Sequence, residues 1–299
     1  MSRTAKIWLI IAGILVVLGP ILIVCATAAN GNFGKQEYKT VAHEVGSTFD
    51  QIAVDTNVTD ITIATADEKQ CKVVCTEPEK MKHTAQVENG TLVIRSSDTR
   101  KWYEHLFSFT FKNPKVTILL PQTEYASLQI DTHTGDVLIP SGFTFDTLTV
   151  NGSTADVECS ADATDLNIKL TTGDVLLHDT EAGKAAIETS TGNIRFESVT
   201  AKGNISVKAT TGDITLTDAI TEKDLRIQSS TGCVRFEGCD ASDISVKTST
   251  GDVTGFLLSD KVFITDTSTG DVKVPKATSG GKCEITTSTG DIIIDIKSK

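Results

Sequence analysis

The residues with the clearest chemical potential are the acidic side chains that follow glycine in a repeated Thr-Gly-Asp motif. A column of carboxylates could coordinate calcium, because hard cations bind oxygen ligands. A turn aspartate can instead accept hydrogen bonds from backbone N–H groups. We expect this structural role, with calcium binding as the alternative. The acidic positions are Asp136, Asp156, Asp174, Asp213, Asp252, Asp271 and Asp291, and Asn193 and Cys233 occupy two equivalent places.

No catalytic constellation accompanies these acids in the sequence. A glycan-active β-helix enzyme needs clustered acids in the middle of its strands, whereas these acids stand at corners. The motifs Gly-x-Ser-x-Gly, His-Glu-x-x-His and the phosphate loop are absent. We therefore predict a non-enzymatic protein without cofactor or metal, and a glycan-active enzyme is the less favoured alternative. The histidines are scattered at His43, His83, His105, His133 and His178.

The seven cysteines follow no zinc-binding spacing. Cys71 and Cys75 would lie on one face of a strand roughly 13 Å apart, which is too far for a disulfide. We expect buried free thiols, since free cysteine behaves as a small hydrophobic residue.

The motif recurs every 18 to 20 residues, which is the signature of a solenoid. Apolar pairs spaced by two residues, the strand period, flank each corner. The sequence predicts an all-β fold, a single-chain parallel β-solenoid of about 19–20 residues per coil over 128–299. Glycine supplies the positive φ that a sharp corner needs. The corner glycines are Gly135, Gly173, Gly192, Gly212, Gly232, Gly251, Gly270 and Gly290, with Ala155 in one copy.

Two irregularities concern the C-terminal coils. Val262 and Ile264 are one place out of phase, which predicts a bulge at Asp266. The last strand, from Ile292 to Lys299, is expected to be an open parallel edge. That edge could support self-association or pair with a partner strand.

The N-terminal segment predicts a membrane anchor. Residues 7–29 are apolar and long enough to span a bilayer, and the basic residues in 1–6 predict a cytoplasmic N-terminus. The rest of the chain would be extracellular, after a juxtamembrane linker at 30–46. Two alternatives are a cleaved signal peptide ending near Ala26-Thr27-Ala28 and a lipoprotein at Cys25.

Residues 47–127 predict an irregular N-terminal β region and cap, with a hairpin at Asn89-Gly90. An aromatic insert interrupts this region. It could be a hydrophobic lid over the solenoid or a contact surface for a partner or the membrane interface. Its aromatic residues are Trp102, Tyr103, Phe107, Phe109 and Phe111.

The net charge of −11 makes nucleic acid and anionic lipid unlikely partners for the bulk of the chain, and favours a cation or a basic surface. A membrane anchor, a β-rich region and repeated corners such as Ser249–Val253 together resemble the bacterial putative-adhesin domain family of unknown function, over Phe49 to Lys299. The resemblance implies a β-solenoid in the cell envelope. We interpret the chain as a non-enzymatic surface protein that binds an unknown protein or envelope component. The alternative is an accessory protein of an envelope stress-response system.

Overall fold

The computed structural model describes residues 38–67, 70–99 and 113–297, and every regular element in these ranges is a β-strand. No helix in them is long and apolar enough to cross a membrane, and the predicted anchor at 7–29 lies outside them. The strands are β1 (Tyr38–Val45), β2 (Gln51–Val58), β3 (Asp60–Thr65), β4 (Cys71–Pro78), β5 (Met81–Glu88), β6 (Thr91–Asp98), β7 (Lys115–Leu120), β8 (Glu124–Thr134), β9 (Val137–Ile139), β10 (Thr144–Thr154), β11 (Val157–Cys159), β12 (Asp162–Thr172), β13 (Val175–Thr191), β14 (Ile194–Ala201), β15 (Ile205–Thr211), β16 (Ile214–Thr217), β17 (Ile220–Thr221), β18 (Asp224–Thr231), β19 (Val234–Cys239), β20 (Asp243–Lys247), β21 (Val253–Leu257), β22 (Lys261–Thr269), β23 (Val272–Lys273), β24 (Gly281–Thr289) and β25 (Ile292–Ile296).

Two stacks of parallel strands enclose the core. The strand before each corner pairs with its equivalents in the first stack, so that Leu148 lies beside Leu128 on one side and Leu166 on the other. The strand after each corner does the same in the second stack, where Val157 lies between Val137 and Val175. Side chains at these positions are buried because each coil covers the apolar face of the next. The predicted parallel β-solenoid is confirmed.

The solenoid begins earlier in the chain than the predicted boundary at residue 128. Strand β2 pairs in parallel with both β6 and β8, and β3 pairs with both β7 and β9. The coil 51–65 is therefore a full member of the stack, and Thr59-Asp60 is its corner.

The predicted linker at 30–46 also needs correction. Its last part is strand β1, which pairs antiparallel with β4 from Tyr38 opposite Pro78 to Val45 opposite Cys71. Strand β4 in turn pairs antiparallel with β7. Antiparallel strands therefore cover the N-terminal end of the second stack.

The C-terminal coils are stacked out of chain order. Strand β24 lies between β20 and β22, and β25 lies between β21 and β23. The prediction that the last strand is an open edge was wrong, because β25 is paired on both sides. The edge is formed by β22 and β23, where Ile264 and Val272 are 52% and 43% exposed.

The predicted bulge at Asp266 is also absent. Strand β22 keeps a continuous register with β24, in which Phe263 lies beside Cys283 and Thr265 beside Ile285. The out-of-phase Ile264 faces outward beside Glu284. A register shift occurs instead between Glu237 and Cys239.

The cysteines among the described residues are free. Cys233 is exposed and the others are buried, which confirms free thiols and corrects their burial at one position. Burial raises the pKa of Cys71, Cys75, Cys159 and Cys283 to about 12, so without a bound metal ion these thiols stay protonated at neutral pH.

Candidate functional site

The corner residues build a ladder of hydrogen bonds along the solenoid. The carboxylate of Asp213 accepts the backbone N–H of Cys233 at 2.8 Å, and the Asn193 amide oxygen accepts the N–H of Asp213 at 3.0 Å. Each acidic side chain thus binds the corner of the adjacent coil. Equivalent bonds extend from Asp60 to Cys233 and from Asp252 to Asp271.

This ladder predicts different effects for two substitutions of one residue. Asp213→Ala should lower the free energy of unfolding by about 1 kcal/mol, because one N–H loses its acceptor. Asp213→Asn should change it by less than about 0.5 kcal/mol, since Asn193 already performs this role. Urea denaturation of both variants tests the expectation. Equal losses would show that the negative charge matters and the amide oxygen does not.

The stacking of coils also explains why glycine occupies the corners. All eight have positive φ, between 129° and 149°. At Gly212 an added Cβ would lie 2.0 Å from the carbonyl oxygen of Gly192 in the neighbouring coil. Both the backbone conformation and the close approach of coils therefore require glycine there.

An acidic cleft of about 370 Å³ lies beside the first corners, on the outer face of the second stack. Five carboxylates and one lysine line it, and the exposed Leu138 adds apolar surface. Close like charges attract a cationic ligand more strongly than isolated ones. The charged lining residues are Asp60, Lys115, Asp136, Asp156, Glu158 and Asp174.

A serine and a histidine from neighbouring coils lie close together beside the cleft. Ser160 Oγ lies 2.7 Å from His178 Nε2, and Glu158 Oε1 lies 3.2 Å from the same nitrogen. Nucleophilic catalysis needs a serine that a substrate can reach, but Ser160 is only 5% exposed. The contact is better explained as a hydrogen-bonded group that satisfies the buried hydroxyl.

A second polar group joins the last coils. Lys261 Nζ lies 2.7 Å from both Asp240 Oδ1 and Ser259 Oγ. Burial disfavours the charged carboxylate, but the hydrogen bonds from Lys261 and Ser259 and the charge of Lys261 outweigh it and hold the pKa of Asp240 below its ordinary value. A serine–lysine pair can be nucleophilic only when the amine is free to accept a proton. Here the amine is paired with the Asp240 carboxylate, which favours a structural ion pair.

A third cluster lies inside the N-terminal end of the solenoid. The side chains of Cys75, Glu77 and His83 are buried, with ligand atoms all within 4.8 Å of one another. His83 Nδ1 is 2.8 Å from Glu77 Oε2, and its Nε2 is 2.9 Å from the Thr59 hydroxyl. This cluster could not be predicted from the sequence, because its members are brought together only when β5 crosses to the other stack.

The predicted aromatic contact residues, from Trp102 to Phe111, lie outside the described residues. The described residues on either side of this segment are hydrogen-bonded to other parts of the solenoid. Thr99 donates its N–H and its hydroxyl to the Lys80 carbonyl, and the Asn113 amide donates to Asp60 Oδ1 at 2.9 Å.

The Toastrack DUF4097 family matches residues 49–206 and 201–299. The chain belongs to this family. The family resemblance stated from the repeated corners is thereby confirmed. No curated protein matches the chain.

Solved structures resemble this Toastrack protein at low sequence identity. A putative adhesin from Parabacteroides merdae has 12% identity and a TM-score of 0.54, over 88% of this chain and 98% of that one. A putative adhesin from Bacteroides fragilis has 14% identity and a TM-score of 0.51, over 87% and 97%. A putative lipid binding protein from Parabacteroides distasonis has 16% identity and a TM-score of 0.51, over 88% and 98%. These similarities establish the fold alone.

Proposed function

We propose that this Toastrack protein is a non-enzymatic, membrane-anchored binding protein of the cell surface. Its ligand is a cationic segment of a partner protein or envelope component, bound in the acidic cleft. The cleft is the observation that carries the proposal: a concave surface of about 370 Å³ that gathers five carboxylates around exposed apolar surface.

Geometry supports a rigid, preformed site. The cleft lies over the stacked strands β3, β9, β11 and β13, and ladder bonds fix all four of its aspartates. The net charge of −11 attracts cations over a longer range. A preformed site loses little conformational entropy on binding.

The surface location rests on the sequence. Residues 7–29 form an uncharged apolar segment after a basic N-terminus, which favours an anchor with the solenoid outside. Names given to proteins of the same fold, including adhesin, agree with this location.

Binding of a fluorescent oligolysine peptide to intact cells that express the full-length chain tests site and location together. The triple variant Asp136→Asn, Asp156→Asn, Asp174→Asn should bind about tenfold more weakly, because three charges leave the cleft. Asparagine retains the ladder bonds, so stability should be preserved. Raising the salt concentration should weaken binding of the unchanged chain.

The same ladder provides a matched control. Asp252→Asn, Asp271→Asn and Asp291→Asn remove equal charge far from the cleft and should leave binding unchanged. Equal losses in the two triple variants would contradict a specific cleft. Binding by purified protein but not by intact cells would contradict the surface location alone.

A further inference from the structure

We propose that Cys75, Glu77 and His83 bind one zinc ion inside the N-terminal end of the solenoid. The proposal is independent of the acidic cleft. It names a metal site with three protein ligands that would join β4 and β5, with the Thr59 hydroxyl beside the imidazole.

The donor set matches zinc chemistry. A cysteine sulfur, an imidazole nitrogen and a carboxylate oxygen are the three ligand types that zinc accepts. The hard cations calcium and magnesium prefer oxygen ligands alone. Ligands around one tetrahedral zinc ion lie roughly 3.3–3.8 Å apart. The three groups, all within 4.8 Å of one another, need to move by only about 1 Å.

The positions of the three residues on their strands direct their side chains to the same place inside the solenoid. Cys75 and Glu77 are two residues apart on β4, so they share its inward face. His83 reaches them from β5, and its side chain is fully shielded from solvent. A dication with one thiolate and one carboxylate is neutral in sum, which lowers the cost of burying the charges.

Thr59 can serve both the metal-free and the zinc-bound state. Without metal, an imidazole that carries its proton on Nδ1 can donate to Glu77 and accept a hydrogen bond from the Thr59 hydroxyl on Nε2. With zinc on Nδ1, the ring carries its proton on Nε2 and donates it to the same hydroxyl, which both donates and accepts. Zinc-binding histidines ordinarily have such a partner on the other ring nitrogen. Thr59 is thus a positioning residue for the site.

The test measures metal in the full-length chain purified in detergent without chelators. About one zinc per chain is expected, and cobalt substitution should produce the near-ultraviolet absorption of a cobalt–thiolate bond. Cys75→Ser should abolish this band. Cys71→Ser is the matched control, because Cys71 is an equally buried free thiol on the same strand, and it should retain the band.

Two further variants keep the outcome decisive if Cys75→Ser misfolds. Glu77→Gln should weaken zinc binding at least tenfold, and Thr59→Val should weaken it by about 10- to 100-fold while the thiolate band persists. Absence of a thiolate band in the unchanged chain would overturn the proposal. So would zinc binding by Glu77→Gln as tight as that of the unchanged chain.

Discussion

Gly212→Ala should cost about 3 kcal/mol or more of unfolding free energy, or prevent folding. The added Cβ would stand 2.0 Å from the Gly192 carbonyl oxygen, on a backbone with φ of 137°. A non-glycine residue at such a φ alone costs about 1–3 kcal/mol. The clash adds to this, because the two coils cannot separate locally without breaking their ladder hydrogen bonds.

Gly142→Ala is the matched control for this effect. Gly142 also has a positive φ, of 90°, but an added Cβ there meets nothing within 4 Å. Gly142→Ala should lower the free energy of unfolding by about 1 kcal/mol, which is the conformational cost without the steric clash. Chemical denaturation of the two variants separates the conformational cost of a positive φ from the cost of the steric clash. Equal losses of unfolding free energy would show that the close approach of coils is unimportant.

Asp240→Asn should lower the free energy of unfolding by about 2–3 kcal/mol at neutral pH. The substitution leaves the Lys261 ammonium, whose side chain is 4% exposed, without its carboxylate. Breaking a fully buried pair costs about 3–5 kcal/mol, and the partial exposure of Asp240 reduces that value. Lys261→Met should lower the free energy of unfolding by less, because the partly exposed Asp240 carboxylate can be hydrated by solvent.

The pH dependence of the same variant checks the electrostatic origin. The pKa of Asp240 is lower in the folded chain than its ordinary value of 3.8. A lowered pKa gives stability that is present above the unfolded pKa and is lost as pH falls through the folded pKa. The difference between the unchanged chain and Asp240→Asn should therefore stay constant at pH values well above 3.8 and shrink as pH falls below 3.8. A difference in unfolding free energy that does not change with pH would indicate that the substitution acts through packing and not through charge.

The regular coils were predictable because parallel, in-register stacking imposes one local pattern on every copy. Corner spacing and apolar pairs such as Leu225 and Ile227 placed the strands correctly. The coil at 51–65 carries the same signal around Thr59, with Ile52 and Val54 before it and Ile61 and Ile63 after it. It was missed because its corner has no glycine.

Other features depend on contacts that a repeat pattern does not encode. A second column of left-handed residues, Asp179, Ser198, Asp218 and Gly238, turns the chain after the second stack. Because its members differ in residue type, their spacing of 19 or 20 residues is the one signal in the sequence that could have identified them. The candidate metal cluster has no such signal, because His83 meets Cys75 only through the path of β5 between stacks.

The interleaved order of the last coils constrains how the protein can assemble. As the chain leaves the ribosome, residues 261–273 are synthesised before residues 281–296, yet the later segment lies between them and the rest of the stack. The outermost layer therefore has no docking surface until β24 and β25 exist. Loss of residues 281–296 would remove an inner layer and expose β20 and β21. The outermost layer of this solenoid is thus able to dock only after a segment that is synthesised later than itself.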